Sequence, residues 1–133
     1  MVEPNTHMRM VDRRRIARIG TDFGGTIGLI ETGPAPFAYE MLRHLVNKFG
    51  SENVFVISKA GPKVEIKIRN WLREREFYGT TGIAPANVIF VRNYADKAVW
   101  VQHLGISVFF DDHIKIVRSL VQLDCIERVF WMH

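Results

Sequence analysis

Apolar and polar positions change their period several times along the chain, and each change predicts an element. Residues 16–23, IARIGTDF, alternate apolar with small or polar positions and run into glycines, which predicts a strand ending in a loop. After GGTIGLIETGPAP, Phe37, Met41, Leu45 and Phe49 recur every four residues, flanked by Leu42 and Val46, until Gly50 stops the run. That spacing predicts a helix with this stripe facing inward. NVFVIS, residues 53–58, is continuously apolar, as in a strand covered on both faces of a parallel sheet. Gly61 and Pro62 open a further helix with Val64, Ile68, Trp71 and Leu72 on one side, although VEIKI within it also fits strand alternation.

NVIFV, 87–91, reads as a third strand, DKAVWVQHLG, 96–105, as a short helix ended by Gly105, and SVFF, 107–110, as a fourth strand running into Asp111 and Asp112. Ile114, Val117, Leu120 and Val121 mark another helix, and RVFWM closes the chain with a fifth strand. Strands alternating with helices through short connections predict an α/β fold: a three-layer, Rossmann-like parallel sheet of about five strands with helices on both faces. The domain is expected to span 16–133, behind a basic and flexible segment over 1–15. Trp71, Trp100 and Trp131 lie in periodic apolar runs and are expected in the core. In such sheets functional residues gather at the carboxyl ends of the strands, which singles out Asp22, Ser58, Arg92 and the pair Asp111 and Asp112.

Composition narrows the class. The chain has 133 residues, 47% hydrophobic and 24% charged, enough for one domain with its own core. Its single cysteine, Cys125, rules out an intrachain disulfide framework and fits a reducing compartment. No run approaches the roughly 18 apolar residues of a membrane span, and MVEPNTHMRMVDRRR lacks the apolar stretch of a secretion signal. A cytoplasmic protein without membrane contact is expected. The net charge of +4 leans toward anionic partners, phosphorylated metabolites or nucleic acid. Part of that charge is the run Arg13, Arg14, Arg15 near Arg18, which also reads as a solvated lead-in to the first strand.

The stretch RIGTDFGGTIG, 18–28, places an acid inside a glycine-rich loop, where backbone N–H groups ordinarily cradle anions. The glycine spacing does not fit G-x-G-x-x-G, and the G-K-[ST] of a Walker loop is absent. D-x-G-G-T is similar to the first phosphate motif of sugar kinases with the actin-like fold, but that fold needs two domains and leads into a β-hairpin, where a Pro-rich turn and a helix are expected here. One pattern uses the whole chain: an acid after the first strand, Asp22; a serine after the second, Ser58; a lysine opening a later helix, Lys97; and paired acids after the fourth strand, Asp111 and Asp112. In order and in placement on strand ends, over about residues 16–133, this resembles the haloacid dehalogenase (HAD)-like superfamily of hydrolases.

The resemblance implies a Mg²⁺-dependent phosphomonoester hydrolase. Asp22 would be the nucleophile, giving an aspartyl-phosphate. Two anions do not approach unaided, so Mg²⁺ is implied as cofactor, held by Asp22, Asp111, Asp112 and the carbonyl oxygen of Gly24. Ser58 would hydrogen-bond a phosphoryl oxygen, and Lys97 would neutralise developing charge and hold Asp22 ionised. Gly25 and Thr26 in the loop, with Lys59 and Arg92, are further candidates for gripping phosphate. Each residue also has an ordinary account: Asp22 as a turn residue, Ser58 as a loop residue, Lys97 as a surface lysine beside an Asp96 cap, and Asp111 and Asp112 as a helix start favoured by the dipole.

The pattern breaks at Gly24, where phosphatases of the superfamily carry a second aspartate that protonates the leaving oxygen and later activates water. Glu31 and His113 are substitutes only by nearness in sequence. Carbon–halogen-cleaving members also lack that aspartate, but they use no Mg²⁺, and the Asp111–Asp112 pair argues for a metal. The segments after the first and third strands are too short for a lid, so the reading is capless. An open site suits a macromolecular phosphorylated substrate, a nucleic acid end or a phosphoprotein, or a homo-oligomer that covers it. Two other functions stay open: a catalytically weak phosphate-binding or regulatory protein on the same scaffold, and a nucleic-acid-binding module using the basic residues.

Overall fold

A computed structural model describes residues 17–132. The predicted basic segment, with Arg13, Arg14 and Arg15, lies outside the described residues, as does His133. Five strands form one parallel sheet: β1 (Ile19–Thr21), β4 (Val54–Lys59), β5 (Val88–Val91), β6 (Val108–Asp111) and β7 (Arg128–Trp131), in the spatial order β5-β4-β1-β6-β7. Between β1 and the first helix stands a two-stranded antiparallel hairpin, β2 (Gly28–Leu29) and β3 (Gly33–Pro34). The α-helices of the described residues are α1 (Ala38–Phe49), α2 (Pro62–Glu74), α3 (Phe77–Thr81), α4 (Tyr94–His103) and α5 (Ile114–Leu120). The fold is Rossmann-like α/β, as the alternation predicts.

The sheet separates two apolar clusters. Ile19, Val54 and Val56 point to one face and pack with Leu42 of α1, Ile68, Trp71 and Leu72 of α2 and Phe77 of α3. Phe55 and Ile57, the alternate residues of β4, point to the other, against Val101 of α4 and Ile116 and Leu120 of α5. β4 therefore has no polar face, which is why NVFVIS is apolar without a break. In the central strand β1, Gly20 lies under Phe109: a Cβ there would sit 2.6 Å from that ring, so only glycine lets the two pack.

Several expectations are corrected. The first strand is three residues long, and the hairpin replaces the plain turn expected after it. Phe37 does not belong to the α1 stripe; it caps the helix in a left-handed conformation (φ 64°) and is 77% exposed, so the buried face runs through Ala38 and Leu42. VEIKI is helical within α2, with Val64 exposed rather than buried. α4 starts at Tyr94 and is capped by Asn93, whose side chain accepts from the Asp96 N–H, so Asp96 is not the cap. Trp71 is core, but Trp100 and Trp131 are substantially exposed, and so is Val121. No described helix is long and apolar enough to cross a membrane.

Candidate active site

The register of the central strands builds the site. Thr21 of β1 pairs with Phe110 of β6, so the next residue on each, Asp22 and Asp111, emerges beside the other at the carboxyl end of the sheet. The Asp22 N–H donates to the Phe110 carbonyl at 2.9 Å, extending the ladder by one residue and fixing where the carboxylate starts. Asp112 follows Asp111 beyond the strand, its carbonyl accepting from Trp131 Nε1 of the neighbouring strand at 3.0 Å. One oxygen from each of Asp22, Asp111 and Asp112 lies within 4.8 Å of the others.

Lys97 reaches this cluster from the first turns of α4, which the Asn93 cap orients. Its ammonium donates to Asp111 Oδ2 at 2.9 Å and lies 3.1 Å from Asp22 Oδ1, and the residue is 1% exposed. A lysine with no exposed surface is tolerated only where its charge is paired. The ammonium also lies over the Phe109 ring, whose centroid is 5.5 Å from Nζ. Asp111, wholly buried, is satisfied on its other oxygen by the His113 N–H at 2.9 Å. The ordinary account of Lys97 as a surface lysine is thereby excluded.

Three carboxylates facing one ammonium leave an excess of negative charge. Burial pushes the Asp22 carboxyl up to about 6, with Lys97 opposing the rise and Asp111 adding to it. Asp112 is also raised, first by partial burial and then by the neighbouring Asp111 charge. A divalent cation removes that excess, and clustered carboxylate oxygens are the donors a hard cation such as Mg²⁺ takes. The residues present therefore fit such an ion.

Above the carboxylates a cavity of about 250 Å³ opens to solvent. Asp22, Gly24, Ser58, Lys59, Lys97, Asp111 and Asp112 all line it, together with Glu31 and His113, so nine of the residues given a chemical role from the sequence meet in one place. Ser58 ends the run of buried residues in β4 and is 3% exposed. Gly25, Thr26 and Arg92 do not line it. Gly25 adopts φ +73°, a left-handed conformation that favours glycine, and a Cβ there would come 1.9 Å from Asp112 Oδ2, so a larger residue would also displace that carboxylate. Thr26 is buried in the turn, its hydroxyl without a partner among the described residues. The Arg92 guanidinium is committed elsewhere, donating to the Ala60 carbonyl and to Glu65 Oε1, each at 2.8 Å.

The rest of the wall is largely apolar, and of it Leu29, Ile30 and Tyr94 were given no role from the sequence. The hairpin supplies Leu29, Ile30 and Glu31, α2 supplies Val64 and Ile68, and α4 supplies Tyr94; His113 completes the wall. Tyr94 stands with the Lys59 ammonium 4.9 Å from its ring centroid and the His113 ring at 5.3 Å. The only signal for Tyr94 was its place after a strand end. Leu29 and Ile30 belong to strands of two residues or to their turn, too short to carry a periodic pattern. Compared with protein-family models and with curated protein sequences, the chain matches none.

Proposed function

We propose that the protein is a metal-dependent phosphomonoester hydrolase of HAD-like type, without a cap domain, in which Asp22 is the nucleophile. The observation that carries this reading is the buried Lys97 ammonium held between Asp22 and Asp111 at adjacent strand ends, with Asp112 completing a three-carboxylate cluster. A structural ion pair needs one acid and one base; a third carboxylate opening on a cavity suits a divalent cation and an anionic substrate.

Asp22, Asp111 and Asp112 would hold Mg²⁺, with the Gly24 carbonyl as a further donor in the lining. When bound, the ion supplies positive charge against the repulsion between carboxylate and phosphoryl oxygens. Lys97 keeps the Asp22 carboxylate ionised and aimed, and its charge faces the phosphoryl group. Ser58 offers a hydroxyl to a phosphoryl oxygen. Asp22 attacks phosphorus and the leaving oxygen departs with the bonding electrons; water then attacks the aspartyl-phosphate, releasing inorganic phosphate and regenerating Asp22. Gly24 can neither protonate the leaving group nor take the proton from water. Glu31 and His113, which both line the cavity, are the groups available to accept that proton.

Acetyl phosphate tests the reading, because its leaving group needs no proton. Mg²⁺-dependent turnover that disappears in Asp22→Asn is the expected result. If wild type gives no turnover and no phosphoryl group on Asp22, while calorimetry shows Mg²⁺ binding weakened by Asp111→Ala, the chain is a binding protein on this scaffold. Loss of both would refute the site.

A further inference from the structure

We infer that the substrate is an aryl phosphate monoester, whose ring is held by the apolar rim of the cavity; this deepens the phosphomonoesterase reading and rests on it. Two independent observations converge. The first is the wall above the carboxylates: Leu29 from the hairpin, Val64 from α2 and Tyr94 from α4 are 46%, 43% and 43% exposed, yet all three line the cavity that contains Asp22. Three large apolar side chains left in water around one polar floor form a contact surface for an apolar group carrying an anion. The Tyr94 ring lies between the Lys59 ammonium, 4.9 Å from its centroid, and the His113 ring at 5.3 Å, so it has neighbours on the cavity wall before any substrate enters. An aromatic ring packed against a tyrosine gains more than its buried area alone provides.

The second observation is chemical. With glycine at position 24, no acid stands there to protonate the departing oxygen. As the Asp22 oxygen bonds to phosphorus and the phosphorus–oxygen ester bond breaks, the leaving oxygen takes the electron pair and remains an anion. A phenoxide, whose conjugate acid has a pKa of about 10, carries that charge far better than an alkoxide. The group the rim favours by contact is thus the group the floor can release unaided. Lys59, beside Tyr94 in the wall, adds a positive charge to the same cavity.

The test compares acetyl phosphate, phenyl phosphate, benzyl phosphate and glycerol phosphate with Mg²⁺ present. Acetyl phosphate reports the Asp22 chemistry without a ring. Benzyl phosphate has the ring but an alkoxide leaving group. Phenyl phosphate is expected to have the highest kcat/KM of the three esters. Benzyl phosphate is expected to compete with it at similar concentration while turning over about a hundredfold more slowly, the size of an absent general acid. Tyr94→Ala and Leu29→Ser, at positions 43% and 46% exposed, are expected to lower the phenyl-to-acetyl ratio of kcat/KM by about tenfold, mostly through KM, in variants shown to be folded by circular dichroism. An unchanged ratio in both variants, or glycerol phosphate turned over as well as phenyl phosphate, would overturn the inference and leave the phosphatase reading standing. No turnover of acetyl phosphate and no phosphoryl group on Asp22 would overturn both.

Discussion

On the proposed mechanism, replacing Gly24 with aspartate supplies a proton donor at that position, and the structure allows the change. A Cβ at Gly24 meets nothing within 4 Å, and the residue is not among the glycines with positive φ, so the side chain enters open space without backbone strain. General acid catalysis contributes about two to four orders of magnitude, or about 3–5 kcal/mol off the barrier, for a leaving group that needs the proton. Gly24→Asp is therefore expected to raise kcat for glycerol phosphate by about a hundredfold or more, with little gain on acetyl phosphate. Two effects on stability oppose each other. Loss of glycine's freedom in the unfolded chain favours the fold by about 0.4–1 kcal/mol. A fourth carboxylate near a cluster with one ammonium disfavours it by about 2 kcal/mol per neighbouring charge at ~8 Å and an effective dielectric of ~20. The assay accordingly uses saturating Mg²⁺ and follows released phosphate, with Gly24→Asn as a control of the same shape and no acid. If folded, metal-saturated Gly24→Asp hydrolyses glycerol phosphate no faster than Gly24→Asn, the assignment of position 24 to the missing acid is wrong.

Other perturbations follow from the same geometry. Because burial raises the Asp22 carboxyl from about 3.8 to about 6, the folded state holds that proton more tightly than the unfolded chain, so its stabilising contribution is full below about 3.8 and is lost as pH rises through 6. In the presence of chelator, wild type is expected to lose about 2.4 kcal/mol relative to Asp22→Asn between pH 4 and pH 7.5, read from urea unfolding midpoints; parallel profiles for the two proteins would contradict this. Lys97→Met leaves the wholly buried Asp111 without its cation and is expected to destabilise the metal-free protein by about 3–5 kcal/mol, partly restored by Mg²⁺; a change under about 1 kcal/mol by the same method would show that the ion pair is not buried as described. Arg92→Gln removes only an exposed pair with Glu65 and a bond to a loop carbonyl, so stability should fall by about 1 kcal/mol or less and kcat/KM should stay within about twofold; a tenfold loss would place the guanidinium in the site after all.

What the sequence determined by itself was the set of elements whose pattern spans a full period or more. β4 is legible because a strand buried on both faces must be apolar throughout, and α1 because its stripe repeats over three turns, although Phe37 fits the spacing and falls outside the buried face. The order of Asp22, Ser58, Lys97 and the Asp111–Asp112 pair is equally a property of the chain, since parallel connections return each strand end to one edge of the sheet. Tertiary structure decided the rest. Whether Trp100 and Trp131 are covered depends on what packs over them, which no local period encodes. The hairpin of β2 and β3 has two-residue strands, too short for a pattern, and it brings Leu29 and Glu31 to the cavity. Arg92 was legible as a strand-end cation, but Glu65, distant in sequence, claims it. The site itself rests on a register: Thr21 opposite Phe110 sets Asp22 beside Asp111, and only that adjacency, across residues far apart in the chain, leaves Lys97 buried between two carboxylates with a third in reach.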